Sequence, residues 1–192
     1  EWRNNNPSIL YCNSFEDLIS RDLDVVSICT PNYLHANMAV DILKSGKHVI
    51  IEKPMALSSN DAKKIINTSK QYRKMAFCVM QNRFSPTVLW LKSIIDQGLL
   101  GRINIVSVNC FWNRNENYYL NSDWHGSKIK DGGPLFTQFS HFIDIIHWIF
   151  GDFFKISAEF KSFNKKEYID FEDTGIVRFN LKNQDASKEW ID

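Results

Sequence analysis

Hydrophobic and polar positions follow two grammars along this chain. From Asp24 to Cys29 the run Asp-Val-Val-Ser-Ile-Cys is short, apolar and β-branched, which predicts a buried strand. Between Leu34 and Ser45, Met38 pairs with Ile42 and Ala39 with Leu43 at four-residue spacing. That periodicity predicts a helix ending on Gly46 as its C-cap. His48–Ile51 predicts the next strand. Ser58-Ser59-Asn60-Asp61 then supplies an N-cap and a first-turn acid for a helix with Ala62, Ile65, Ile66 and Ser69 on one face. Met75–Met80 predicts a third strand. Strand, helix, strand, helix, strand implies a parallel, doubly wound sheet.

The second grammar begins after residues 82–85. Ser85-Pro86 predicts a helix start, running through Gln97 to a stop at Gly98. Ile103–Trp112 alternates and reads as a long strand, as do Phe153–Phe163 and Thr174–Leu181. Between them, Gly132–Phe150 reads as one helix, with Pro134 at its start and Gly151 at its end. Long strands around one central helix predict a second, α+β domain with a large, mostly antiparallel sheet. The division falls at residues 1–83 and 84–192.

Composition narrows the classes. Hydrophobic residues make up 44% and charged residues 23%, as in ordinary globular chains, so disorder and coiled coil are poor readings. A net charge of +1 leaves no basic field for nucleic acid, and cationic runs are only pairs such as Lys63-Lys64 and Lys165-Lys166. Cys12, Cys29, Cys78 and Cys110 form no CxxC pair, so they read as small hydrophobes in a reducing compartment rather than a disulfide frame or metal site. No apolar run is long enough to span a bilayer and no secretory signal opens the chain, so a cytoplasmic location and no membrane partner are expected. The first residue is Glu1 rather than Met, which suggests a missing upstream segment. Aromatic residues cluster at 111–124 and 136–154, either as core or as a stacking surface.

Ligands of open α/β sheets sit beyond the carboxyl ends of the strands. Three polar segments fall there: Thr30-Pro31-Asn32-Tyr33-Leu34-His35, Glu52-Lys53-Pro54 and Gln81-Asn82-Arg83. On the 134–150 helix, Thr137, Ser140, His141, Asp144 and Trp148 share one face, flanked by Gln138. Solvated faces favour Lys and Glu. This stripe reads instead as the wall of a buried polar cavity, or as a core in which His141 pairs with Asp144 or a backbone carbonyl.

Read as whole strings, these segments carry a resemblance. "DVVSICTPNYLHANMAVDILKSGKHVIIEKPMA", from Asp24 to Ala56, is similar to the glucose–fructose oxidoreductase/inositol dehydrogenase/MocA family. The similarity continues through Gln81-Asn82-Arg83-Phe84-Ser85-Pro86, Gly98–Gly101 and Asp131–Gly151. It implies a partial Rossmann domain before the α+β domain, NAD or NADP as cofactor, and a sugar dehydrogenase. No GxGxxG is present and the glycines begin at Gly46, so by family layout the phosphate loop lies before Glu1.

The resemblance also implies roles. Lys53 and His141 are the expected catalytic pair, with a cis Lys53-Pro54 bond. Thr30, Pro31, Asn32, His35, Glu52, Lys53 and Arg83 are expected on the cofactor side. Gln81, Tyr118, Tyr119, Trp124, Asp131, Thr137, Gln138 and His141 are expected on the substrate side, with no metal. Thr137 stands where relatives often have the Asp of an Asp-x-x-x-His pattern. Together with Tyr118-Tyr119, Trp124-His125-Gly126 and Asp131-Gly132-Gly133, this is more similar to the nucleotide-sugar branch, although an Arg is common there where His125 stands. The implied partners are a sugar or nucleotide-sugar and a second copy of the chain through the second-domain sheet. Rival readings are a non-catalytic binding fragment or relative, and a glycosidase that uses NAD transiently.

Overall fold

The structure, a computed structural model, describes residues 6, 8–163 and 167–181. Glu1, the Lys165-Lys166 pair and the polar tail from Asn183 lie outside the described residues.

The N-terminal part starts with a helix that the hydrophobic pattern did not announce, α1 (Phe15–Ser20), capped by Ser14 Oγ, which accepts from the Asp17 amide. Then follow β1 (Val25–Ile28), a 3-10 turn (Asn32–Leu34), α2 (His35–Lys44), β2 (His48–Ile51), α3 (Ser59–Tyr72) and β3 (Ala76–Cys78). The strands form one parallel sheet in the order β1-β2-β3, with Val26 opposite Val49 and Val49 opposite Ala76. Both predicted helix ends have a physical cause. At the end of α2, the Gly46 amide donates to Leu43 O and the Lys47 amide to Ile42 O. Gly46 sits at φ +81°, a left-handed turn that glycine enters without steric cost. At the start of α3, Ser58 Oγ accepts from the Asp61 amide.

Period-two alternation puts Val26, Ile28, Val49 and Ile51 on one face of the sheet, where they pack with Ala39, Ile42 and Leu43 of α2 and Ile65 of α3. Each such Val, Leu or Ile contributes about 1.5–3 kcal/mol by leaving water. The other face, with Val25 and Phe77, is exposed among the described residues. The expected doubly wound arrangement is therefore covered on one side only. Strand order advances in one direction, and right-handed crossovers then place every connecting helix on the same face. Ile66, expected beside Ile65 on the buried face, is exposed.

The C-terminal part contains α4 (Pro86–Asp96), α5 (Glu116–Leu120), α6 (Pro134–Thr137), α7 (Ser140–Phe150), β4 (Phe153–Lys161) and β5 (Thr174–Leu181). β4 and β5 pair antiparallel, with Ala158 opposite Val177, and a bulge between Phe154 and Ser157. Two expectations are corrected here. Ile103–Trp112 pairs with no strand among the described residues, and Ile105 and Phe111 are 86% and 96% exposed. Among the described residues the antiparallel sheet of this part has two strands: alternation prepares a segment such as Ile103–Trp112 for a ladder, but a neighbouring edge must be there to complete it. The single predicted helix over 132–150 is broken at Gln138 and Phe139. The Phe139 amide donates back five residues to Pro134 O, and Thr137 O accepts from Ser140 Oγ. No helix among the described residues is long and apolar enough to cross a membrane.

Candidate active site

The carboxyl ends of β1, β2 and β3 open toward the helix break between α6 and α7. The Lys53-Pro54 bond just after β2 is cis. Lys53 Nζ donates to Thr137 O at 3.1 Å. That carbonyl sits in the break between the two helices, so the irregularity of the 134–150 helix supplies the acceptor. An ammonium has three N–H groups, so one bond to Thr137 leaves two for a ligand.

His141 is the second residue of α7, just past the break, and is 6% exposed. Its Nδ1 is buried and has no hydrogen-bond partner among the described residues. The expected alternative, pairing with Asp144, is not observed, because Asp144 receives Arg83 through Nε at 2.7 Å and Nη2 at 2.5 Å. Native proteins leave few buried polar atoms unpaired, and this nitrogen is one of those exceptions.

The charged forms of Lys53 and His141 are both disfavoured. Burial holds the Lys53 ammonium below its ordinary value; Arg114 adds to this, while Glu52 and Asp131 oppose it. Burial likewise holds His141 below its ordinary value; the Lys53 charge reinforces the effect, and Asp144 and Glu52 oppose it. Asp131, 3% exposed, is pushed up by burial against the opposing Gly126 amide, His125, Lys53 and Arg114. The Gly126 amide donates to Asp131 Oδ2 at 3.1 Å.

The remaining predicted residues occupy distinct places. Asn32 is buried, and its Nδ2 donates to Asp131 O at 2.9 Å, joining the loop after β1 to the C-terminal part. Thr30 and Pro31 are half-buried in that loop, and Glu52 Oε2 accepts from the Lys53 amide at 3.3 Å. Gln81 is exposed at the start of a 3-10 turn (Gln81–Phe84) after β3. Arg83 departs from its expected cofactor contact, since its guanidinium is engaged by Asp144 and lies 5.5 Å from the Trp148 ring. His35 departs further: at 1% exposure, with a ring nitrogen against Pro54 O and the other against Thr30 O, it presents no surface to a cofactor.

On the substrate side, the Tyr118 ring stacks on His125, with centroids 4.3 Å apart at 8°. Tyr119 lies edge-on to Tyr118, and Trp124 tilts against His125. Burial pushes both tyrosine hydroxyls up from their ordinary value. Gln138 Oε1 accepts from Arg114 at 3.4 Å. Arg114 itself lies 4.3 Å over the Tyr118 ring, and the sequence reading missed it. A signal existed: no other Lys or Arg stands between Arg102 and Lys128, and this one lies in an aromatic run. A groove lined by Leu89, Lys92, Ser93, Asp96, Gln97 and Trp148 includes neither Lys53 nor His141. No group of three or more His, Cys, Asp or Glu is placed to hold a metal among the described residues.

Comparison with known proteins agrees with this architecture. Residues 3–80 match the "Oxidoreductase family, NAD-binding Rossmann fold", and residues 88–187 match the "GFO/IDH/MocA C-terminal domain". An uncharacterized oxidoreductase of Synechocystis sp. is 26% identical over 94% of this chain and 52% of its own length. Levoglucosan dehydrogenase of Pseudarthrobacter phenanthrenivorans is 31% identical over 71% of this chain and 35% of its own length. The WlbA dehydrogenase from Bordetella pertussis, solved in complex with NADH and UDP-GlcNAcA, superposes with a TM-score of 0.87 at 31% identity, covering 94% of this chain and 52% of that one. The chain thus spans about half the length, or less, of the relatives it matches. With both of its parts matched in order, from the parallel sheet to the helix that carries His141, the chain belongs to the GFO/IDH/MocA family of NAD-binding oxidoreductases.

Proposed function

We propose that this chain carries the reacting centre of an NAD-dependent dehydrogenase that oxidises a hydroxyl carbon of a sugar, or reduces the corresponding ketone, and that the sugar is nucleotide-linked. The observation that carries the reading is the approach of Lys53 Nζ to Thr137 O, which brings a strand-end ammonium to the turn of the helix bearing His141. The nucleotide-sugar part is supported by the similarity to the WlbA dehydrogenase bound to UDP-GlcNAcA, and by the stacked Tyr118 and His125 rings beside Arg114.

The residues present fit a dinucleotide at the carboxyl edge of the parallel sheet. Thr30, Pro31, Asn32 and Glu52 line that edge and would hold its ribose and nicotinamide side. When bound, the nicotinamide accepts the hydride that leaves the sugar carbon. His141 takes the hydroxyl proton as that hydride departs, and a neutral imidazole is suited to this near neutral pH. Lys53 hydrogen-bonds the same oxygen and stabilises the developing alkoxide charge, which weighs most in a water-poor site. Thr137, Gln138, Gln81 and the Tyr118, Tyr119 and Trp124 rings form the sugar side, while Asp131, 3% exposed, keeps its carboxylate on the Gly126 amide and Asn32. In the reverse direction His141 returns the proton. Self-association through the β4–β5 sheet belongs to the same reading and is supported by exposed Phe160 and Val177, which the register puts on one face.

The test is kinetic, on the full-length protein with nucleotide sugars, followed at the absorbance of NADH. Lys53→Ala and His141→Ala are each expected to lower kcat by about 10²- to 10⁴-fold, with NADH affinity nearly unchanged. Near-parental turnover in either variant removes that residue from the mechanism. Failure of every nucleotide sugar, with turnover of a free sugar, removes the nucleotide from the substrate.

A further inference from the structure

The chemistry above leaves the His35 side chain unused, yet it is 1% exposed and its ring is enclosed by the two loops that carry the site. His35 opens α2, with Nδ1 at 2.7 Å from Pro54 O and Nε2 at 2.8 Å from Thr30 O. Each carbonyl belongs to a segment with work to do. Thr30 starts the loop that leads to Asn32, which donates to Asp131 O at 2.9 Å across to the C-terminal part. Pro54 directly follows Lys53, whose Nζ reaches Thr137 O at 3.1 Å.

Lysine has a long, flexible side chain, so the position of its amine follows from where its backbone is anchored. The turn after β2 is anchored on its N-terminal side by the Glu52 amide, which donates to Ile28 O in the sheet ladder. On its C-terminal side the His35 ring meets Pro54 O. The same ring meets Thr30 O, so one rigid plane sets the spacing between the loop after β1 and the turn after β2.

We propose that His35 is a positioning residue: its buried ring spans Pro54 O and Thr30 O, donating an N–H to one of them when neutral and to both only as an imidazolium, and thereby fixes the turn that aims the Lys53 amine at the reacting oxygen. This rests on the reading of Lys53 given above. The half-buried state of Lys53, which holds its ammonium below the ordinary lysine value, is the property the clasp maintains. A loosened turn admits water around Nζ and lets that value climb back.

The experiment compares full-length parent, His35→Phe, His35→Gln and Lys53→Ala. Phe keeps the ring plane without nitrogens, and Gln returns an NH₂ donor group. The first readout needs no turnover: the pH dependence of Lys53 acylation by acetic anhydride, followed by peptide mass spectrometry. In His35→Phe, the Lys53 titration is expected to move upward and kcat to fall about 10- to 100-fold, the scale of a misplaced catalytic group, with NADH affinity nearly unchanged. His35→Gln is expected to recover part of both. An unmoved Lys53 titration overturns the proposal, and so does a loss that resides in NADH affinity, which would make His35 a cofactor contact. Full turnover in Lys53→Ala would instead overturn the reading of Lys53, while the acylation curves still decide whether His35 governs its surroundings. Should His35→Phe fail to fold, His35→Gln carries the same comparison with a smaller expected shift, and an unmoved titration there overturns the proposal.

Discussion

At the scale of single residues, the proposed site holds an ammonium and an imidazole whose charged forms are both disfavoured. Burial and the adjacent Lys53 charge hold His141 below its reference value of 6.5. The neutral, proton-accepting ring therefore persists to lower pH than in an ordinary histidine. The acid limb of kcat/KM for sugar oxidation is expected below pH 6.5. Burial holds Lys53 below 10.5, so the alkaline limb, where the ammonium donor is lost, is expected below that value. The coupling itself is measurable: in Lys53→Met, the His141 ring resonances are expected to titrate at higher pH than in the parent, because the cation that opposed protonation is gone. An unchanged titration would mean the two groups do not share a site. Lys53 and His141 were legible in the chain because their surrounding strings are distinctive. Arg114 and the inward-facing role of His35 were not, because both depend on what folds against them.

At the scale of elements, the informative feature is the interrupted 134–150 helix. Pro134 and Gly151 marked its outer limits correctly. At its interior break, Thr137 O accepts from Ser140 Oγ, three residues on, and from Lys53 Nζ, far away in sequence. Two glycines lead into it. Gly132 has φ +92° and Gly133 φ +81°, conformations that side chains rarely adopt. A Cβ on Gly132 would also stand 2.6 Å from Leu57 Cδ2 and 3.0 Å from Phe136 Cβ. Gly132→Ala is expected to lower stability by ~1–3 kcal/mol, through backbone strain and overpacking together, read as a fall in Tm. A substitution without thermal effect would mean that this turn is not held in the described conformation. The Ile103–Trp112 segment teaches the converse. Its alternation is real, but a β-strand is a property of a pair, and hydrogen-bonding partners are specified outside the segment.

At the scale of the molecule, polar ties join the N-terminal sheet to the C-terminal part: Lys53 to Thr137 O, Asn32 to Asp131 O, and Arg83 to Asp144. The last is a two-point charge-assisted contact, with the Asp144 side chain only 13% exposed. Asp144→Ala leaves Arg83 without its acceptor and is expected to cost ~1–3 kcal/mol in chemical denaturation. Arg83→Met added to it is expected to lose little more, since the pair acts as a unit. Fully additive losses would show that the contact contributes nothing to the join. Asp144 also opposes the depression of His141, so its removal is expected to extend the acid limb of turnover further down the pH scale.

What the sequence determined by itself was local and periodic. Apolar runs bounded by caps placed β1, α2 and β2 nearly to the residue and α3 at its start, because hydrophobic period, serine N-caps and a glycine C-cap are set by neighbours in the chain. The same runs placed polar segments at the carboxyl ends of the strands, where chemistry was expected. The tertiary structure alone decided which face of the sheet is covered, where the 134–150 helix breaks, that Arg83 is engaged by Asp144 while His141 Nδ1 is left unpaired, and that His35 faces inward. These depend on groups far apart in sequence competing for the same donors and acceptors, and only a folded chain brings those competitors within hydrogen-bond distance.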